Sequence, residues 1–243
     1  MKMPGKKLKN QYPDLKFWIL IISAFGAVAL TSQVLCKHAE IWLVKMFMSH
    51  GFNSHVSVFW AYLLEVVFIY DIVLIGATGA GMRVLGISRE EAGWNLPSVK
   101  QIVVSVLVTI AFVLLWGGIV SIVKNGVFRG YEWSISEHVE NMGYASAYIY
   151  LFVRVFNSPI EEVFYRGFLQ TALSRKMNSF SAITLTATLF TAAHIGISKS
   201  LSQVFASALI YGLLRKWGNS LWNPIAAHTS KNVIASFVSL QYR

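Results

Sequence analysis

Glu161 and Glu162 stand side by side in a stretch that otherwise reads as membrane-buried, and Arg166 follows four residues after the second. An ionisable group inside a bilayer is costly, so each one needs a partner or a task. On a helix the two carboxylates point about 100° apart and cannot do the same job. Glu162 and Arg166 share a face at i,i+4, a pairing that keeps Glu162 ionised and holds the helix in place. Glu161 is then left to face a cavity, where a carboxylate could take a proton from water. The same residues could instead form a purely structural buried ion network.

Two further pieces lie downstream. Phe190-Thr191-Ala192-Ala193-His194 ends an uncharged apolar run. His194 there could act on a substrate or simply bond a neighbouring carbonyl. Asn223-Pro224-Ile225-Ala226-Ala227-His228-Thr229-Ser230-Lys231-Asn232 opens with a proline near a helix start, where proline is favoured. His228 and Asn232, spaced i,i+4, share a face. An imidazole and an amide side by side can donate to a developing oxyanion, or could hold a metal, a water or each other. Counted along helices from the basic pairs Arg175-Lys176 and Arg215-Lys216, Glu161, His194 and His228 lie about 21, 27 and 18 Å deep at ~1.5 Å per residue. With the capping turns they can occupy one layer.

The elements that must carry these residues read as membrane spans. Residues 17–36 form a charge-free run of about 20 residues, the length needed to cross. Residues 37–55 are mixed and read as an interfacial amphipathic turn or helix. Residues 56–80 form the second span and carry Glu65 and Asp71, which would line the cavity or pair with Arg154. Residues 83–100 are a polar loop in which Ser88 and Glu91 fit a capping box. Residues 101–123 form a third span, and 124–141 an acidic loop.

The apolar stretch 142–173 is too long for one straight crossing, and Pro159 is expected to break or kink it. Spans over 180–197, 201–214 and 221–240 complete seven, or eight if the long stretch is split. Gly76, Gly79 and Gly81 read as close helix packing and not as a phosphate loop. Trp116, Trp133, Trp217 and Trp222 suit interfacial belts. His38, His50, His55 and His138 fall in or near loops and read as solvated.

Composition agrees. Of 243 residues, 55% are hydrophobic and 13% charged, and mean hydropathy is +0.54, whereas soluble domains carry about 25% charged residues. The reading is all-α: a polytopic helix bundle with its active site in the last four spans. It has a basic polar segment over 1–16 and one transmembrane domain over 17–243, with the catalytic core in 142–243. The net charge of +10 gathers at span ends, as topology signals and anionic-lipid contacts do, which argues against nucleic acid.

Seven alternating spans place the basic N-terminus and both basic pairs on the cytoplasmic side. The first apolar run reads as a retained helix and not a cleaved signal. Cys36, the single cysteine, excludes an internal disulfide and a cysteine-ligand zinc site. It reads as a packing residue.

Glu161-Glu162-xxx-Arg166, Phe190-xxx-His194 and His228-xxx-Asn232, in order and each in an apolar segment, resemble the three motifs of the CAAX-processing and bacteriocin-processing (CPBP, or Abi) intramembrane proteases. The motifs span 161–232; the first 140 residues match as a generic helical membrane region. The resemblance implies a membrane endopeptidase in which Glu161 and His194 activate water. His228 and Asn232 stabilise the oxyanion, and Glu162 and Arg166 support them.

It also implies a cavity open to the cytosolic side and a peptide or protein substrate, prenylated or bacteriocin-like. Glu161, His194 and His228 could bind zinc in an open site. A metal-free scheme with no required cofactor is favoured, because a buried glutamate is a competent base. Size favours a prokaryotic plasma membrane. The alternative is a non-proteolytic scaffold or bacteriocin-immunity protein, whose partner would dock on loops such as 83–100. A transporter would show inverted repeats, which the sequence lacks.

Overall fold

The computed structural model describes residues 14–125, 144–195 and 200–241, and no strand occurs among them. Helix α1 runs Asp14–Ser49, with a π-helical turn at Thr31–Leu35. Helix α2 is continuous through Ser54–Leu64, a π-helical Glu65–Tyr70 and Asp71–Leu85. The short α3 is Arg89–Ala92, and α4 is Val99–Asn125. Helix α5 runs through Tyr144–Glu162, a π-helical Val163–Leu169 and Gln170–Ser174. Then come α6 Ser179–Ala193, α7 Leu201–Gly218 and α8 Trp222–Gln241.

Asp14–Ser49, Val56–Leu85 and Val99–Ile119 are long and apolar enough to cross a membrane, with mean hydropathy of 2.1, 2.1 and 2.6. The chain is an all-α integral membrane bundle. Its outward faces are apolar: Ile22, Phe68, Ile75, Leu107, Leu114 and Phe152 are exposed, as lipid solvation requires.

Two expectations about the elements are corrected. Residues 37–49 are not a separate interfacial piece but the continuation of α1. No proline or turn-forming glycine interrupts the chain there until Gly51, at φ +89°. Asn53 then caps α2, its Oδ1 accepting from Val56 N at 2.9 Å. At 36 residues, α1 is about 54 Å long and outreaches a hydrocarbon core of roughly 30 Å. Nor does Pro159 split the long stretch. It sits inside α5, which continues to Ser174 through the wide turn at 163–169, so this stretch is one helix.

The core gathers α1, α2, α5 and α6 around Phe164, Phe168, Leu169, Leu74 and Val28, all buried. Gly81 makes the closest approach, since a Cβ there would run into the Phe168 ring. Gly76 and Gly79 meet nothing, so the packing role belongs to Gly81 alone. Cys36 is buried in the same core.

The capping box forms as read: Glu91 N donates to Ser88 Oγ at 3.2 Å and Ser88 N to Glu91 Oε2 at 3.1 Å. This connection is stitched to the other helix ends. Arg175 donates to Leu85 O, Gly86 O and Glu91 Oε2 at 2.6, 3.2 and 2.7 Å. Arg215 Nη2 donates to Glu91 O at 2.7 Å, and Leu221 N to Gly93 O at 2.6 Å. A loop bound this way on its inner side holds the end of the bundle that carries the C-terminal helices. At α1, Lys176 Nζ donates to Asp14 Oδ1 at 2.6 Å. The acidic loop, Trp133 and His138 lie outside the described residues. His38 and His50 are exposed, each bonding a backbone carbonyl four residues earlier.

Candidate active site

Glu162 is the hub. Its Oε1 accepts from Arg166 Nη1 at 3.0 Å and from His228 Nδ1 at 2.8 Å. Glu162 and Arg166 are both fully buried. The i,i+4 pair forms as its spacing requires, and within it the backbone widens into the π-helical turn that begins at Val163. Arg166 also donates Nη2 to Ala208 O at 3.0 Å. Its guanidinium lies 4.8 Å from the Phe190 ring centre and 5.3 Å from that of Tyr211, within the range of cation–π attraction. Tyr211 in turn stacks on the His228 imidazole, centres 4.9 Å apart and planes 21° from parallel. The sequence reading made Glu162 and Arg166 supports of their helix. They are also the means by which α5 orients the imidazole of α8.

Because a carboxylate only accepts, His228 Nδ1 is the donor in that bond. Its Nε2 points to the other glutamate, 3.8 Å from Glu161 Oε2, beyond hydrogen-bonding range. Glu161 is 8% exposed, and its Oε1 accepts from the Tyr70 hydroxyl of α2 at 3.4 Å. The two glutamates do diverge: one is locked to Arg166 and His228, the other faces Tyr70 and the far nitrogen of His228.

His194 is the first residue past α6. Its Nδ1 donates to Phe190 O at 2.8 Å, since a carbonyl accepts, so Nε2 keeps its lone pair. Phe190 packs against both imidazoles, ring centres 4.5 Å from His194 and 5.9 Å from His228. Asn232 is not simply a free neighbour of His228. Its Nδ2 donates to Ser158 Oγ at 2.7 Å and to Arg154 O at 3.4 Å, and its Oδ1 accepts from Arg154 Nη2 at 3.0 Å. Ser158 Oγ donates to Arg154 O at 2.7 Å. Beside it, Lys231 Nζ donates to Ser207 Oγ at 2.8 Å.

Distant segments meet here: residues 66 apart in sequence touch at Glu162–His228, and 78 apart at Arg154–Asn232. Of the two acids of the second span, Asp71 is buried, and Glu65 Oε2 and Asp71 Oδ1 have no hydrogen-bond partner. Arg154, the partner offered for them if they did not line the cavity, donates to Asn232 Oδ1. The sequence reading missed Tyr70, Tyr211, Ser158 and the Arg154–Asn232 contact. Arg154 and Ser158 carried a signal, a charge and a hydroxyl one turn apart in an apolar run. The tyrosines carried none.

Glu161, His194 and His228 do not fit a preformed zinc site. Among the described residues no three His, Cys, Asp or Glu side chains are grouped to hold a metal ion. His228 Nδ1 donates to Glu162 and His194 Nδ1 to Phe190 O, so each ring keeps only Nε2 for another partner. Without such a grouping the metalloprotease-like reading is not supported, and no step below runs through zinc.

Fold and site together describe an all-helical integral membrane protein with two carboxylates, one imidazole and an amide buried among its C-terminal helices and a second, half-buried imidazole beside them. Residues 143–234 match the family model of the type II CAAX prenyl endopeptidase Rce1-like proteins. This segment is therefore similar to the type II CAAX prenyl endopeptidases, the class of protease that its three motifs resemble. No curated protein and no solved structure matches the chain. The matched segment contains Glu161, Glu162, Arg166, His194, His228 and Asn232; it contains none of α1 to α4.

Proposed function

We propose that the protein is an intramembrane endopeptidase that hydrolyses a peptide bond of a membrane-associated peptide or protein. The carrying observation is the Arg166–Glu162–His228 relay, which sets His228 Nε2 against Glu161. A structural ion pair has no need to orient an imidazole toward a second carboxylate.

In this reading water is held between Glu161 and His194 Nε2. Glu161 takes its proton as the oxygen attacks the carbonyl carbon. The tetrahedral oxyanion is met by His228 and Asn232. His228 donates from Nε2 when its ring carries both protons, with the Glu162 carboxylate facing Nδ1–H. Asn232 donates from Nδ2 by turning from Ser158. As the C–N bond breaks, the proton passes to the leaving amine, so that no external acid is consumed. No cofactor is required in this scheme.

The family's name points to a prenylated CAAX-type substrate, and a bacteriocin-like peptide is the other class the motifs suggest. In this reading the basic residues favour a cytoplasmic side for the N-terminus, Arg175-Lys176 and Arg215-Lys216, the membrane is a prokaryotic plasma membrane, and the cavity opens to the cytosol.

The test is cleavage of fluorogenic peptides by detergent-purified protein, with and without a farnesylated cysteine four residues from the C-terminus. Wild type is compared with Glu161→Gln and His194→Ala, each with and without a chelator. Cleavage lost in both variants and kept under chelator is the expected result. Loss under chelator would replace the metal-free scheme. Full activity in Glu161→Gln would end the role of Glu161 as the base, and no cleavage by the wild type would end the peptidase reading.

A further inference from the structure

The family match begins at residue 143, yet two side chains from the preceding helices touch the machinery. Both sit in π-helical turns, Thr31–Leu35 of α1 and Glu65–Tyr70 of α2, and such turns are frequent at functional sites. We propose that Gln33 and Tyr70 are positioning residues of the hydrolytic site, each holding one of the two groups that activate water; this rests on the peptidase reading above.

Gln33 Nε2 donates to Ala193 O at 3.3 Å and to Ile195 O at 2.7 Å, the carbonyls on either side of His194. The last carbonyls of a helix have no partner within it, and here α1 supplies one from 160 residues away. With Nδ1 bonded to Phe190 O, His194 is fixed through its backbone on both sides and through its ring, and Nε2 keeps its lone pair. Tyr70 acts likewise on Glu161. Its buried hydroxyl donates to Oε1, which fixes the carboxylate's rotation and leaves Oε2 turned toward His228 Nε2. Wide turns matter here because they re-aim side chains that a regular helix would carry past the site.

The experiment measures kcat, KM and melting temperature for Tyr70→Phe and Gln33→Met on the farnesylated fluorogenic peptide, beside Glu161→Gln. Misplacement of a reacting group lowers turnover and not affinity, so each variant is expected to lose about tenfold in kcat with KM and melting temperature unchanged. The double variant is expected to lose about a hundredfold, since the two act on different groups. Wild-type kcat in both, or a change confined to KM, overturns the proposal. Should Gln33→Met melt early, Gln33→Leu, which also withdraws the donor, is judged by the same criterion. An inactive Glu161→Gln beside fully active Tyr70→Phe and Gln33→Met defeats the positioning role alone. A wild type that does not cleave the peptide defeats the peptidase reading itself.

Discussion

His228 owes its orientation to a carboxylate it does not share with the substrate. Glu162 balances two donors on one oxygen, and Arg166 supplies the positive charge that lets a glutamate remain buried with no exposure at all. Removing one member of a buried pair leaves the other uncompensated, at a cost of about 3–5 kcal/mol. Arg166→Met is therefore expected to lower unfolding stability in detergent by that amount, and to lower activity with it because the His228 partner shifts. His228→Ala should keep its fold far better. Its loss is expected in turnover, about 10²–10³ in kcat if it meets the oxyanion, with KM little changed. Steady-state kinetics beside a denaturation curve separates these two outcomes.

At the scale of elements, one close approach and one cap decide how the helices reach the site. Gly81 lets α2 lie against the Phe168 ring, about three turns from Tyr70 on the same helix. Gly81→Val is expected to cost about 1–3 kcal/mol by overpacking, while Gly76→Val, facing open space, costs far less. Thermal unfolding of the pair checks the contrast. Ser88→Ala removes the side-chain half of the capping box and is expected to cost about 1 kcal/mol. Because Arg175 and Arg215 both bond the Glu91 residue of that turn, this loss should appear as faster proteolysis of the 86–98 connection.

At the scale of the whole molecule, α1 is long enough for its two ends to emerge on opposite sides of a bilayer. Lys176 meets Asp14 at its first turn, so the 174–178 connection lies on the N-terminal side. In a Cys36→Ser background, Ser174→Cys and Ser49→Cys, both exposed positions, are expected to react with an impermeant maleimide from opposite faces. Labelling of Ser174→Cys from the outer face of intact cells would reverse the orientation assigned from the basic residues. Wild-type Cys36, buried in the core, is expected to stay unlabelled from either side.

Composition and periodicity determined that the chain is an all-helical membrane bundle, because a segment in lipid must satisfy its backbone internally. They also located Glu161, Glu162, Arg166, His194, His228 and Asn232, since charged and imidazole groups stand out against an apolar background. The i,i+4 pair of Glu162 and Arg166 was legible as well, because it depends on helix geometry alone. Tertiary structure decided the rest. Which oxygen of Glu162 receives His228, that Asn232 rests on Ser158 and Arg154, and that Tyr211 stacks on His228 all depend on contacts between distant segments. No local spacing encodes such contacts. The π-helical turns were likewise hidden, since nothing in the residue pattern of 31–35, 65–70 or 163–169 marks a wider turn. Gln33 and Tyr70 were ordinary polar residues in apolar runs until packing brought α1 and α2 against the helices that carry His194 and Glu161.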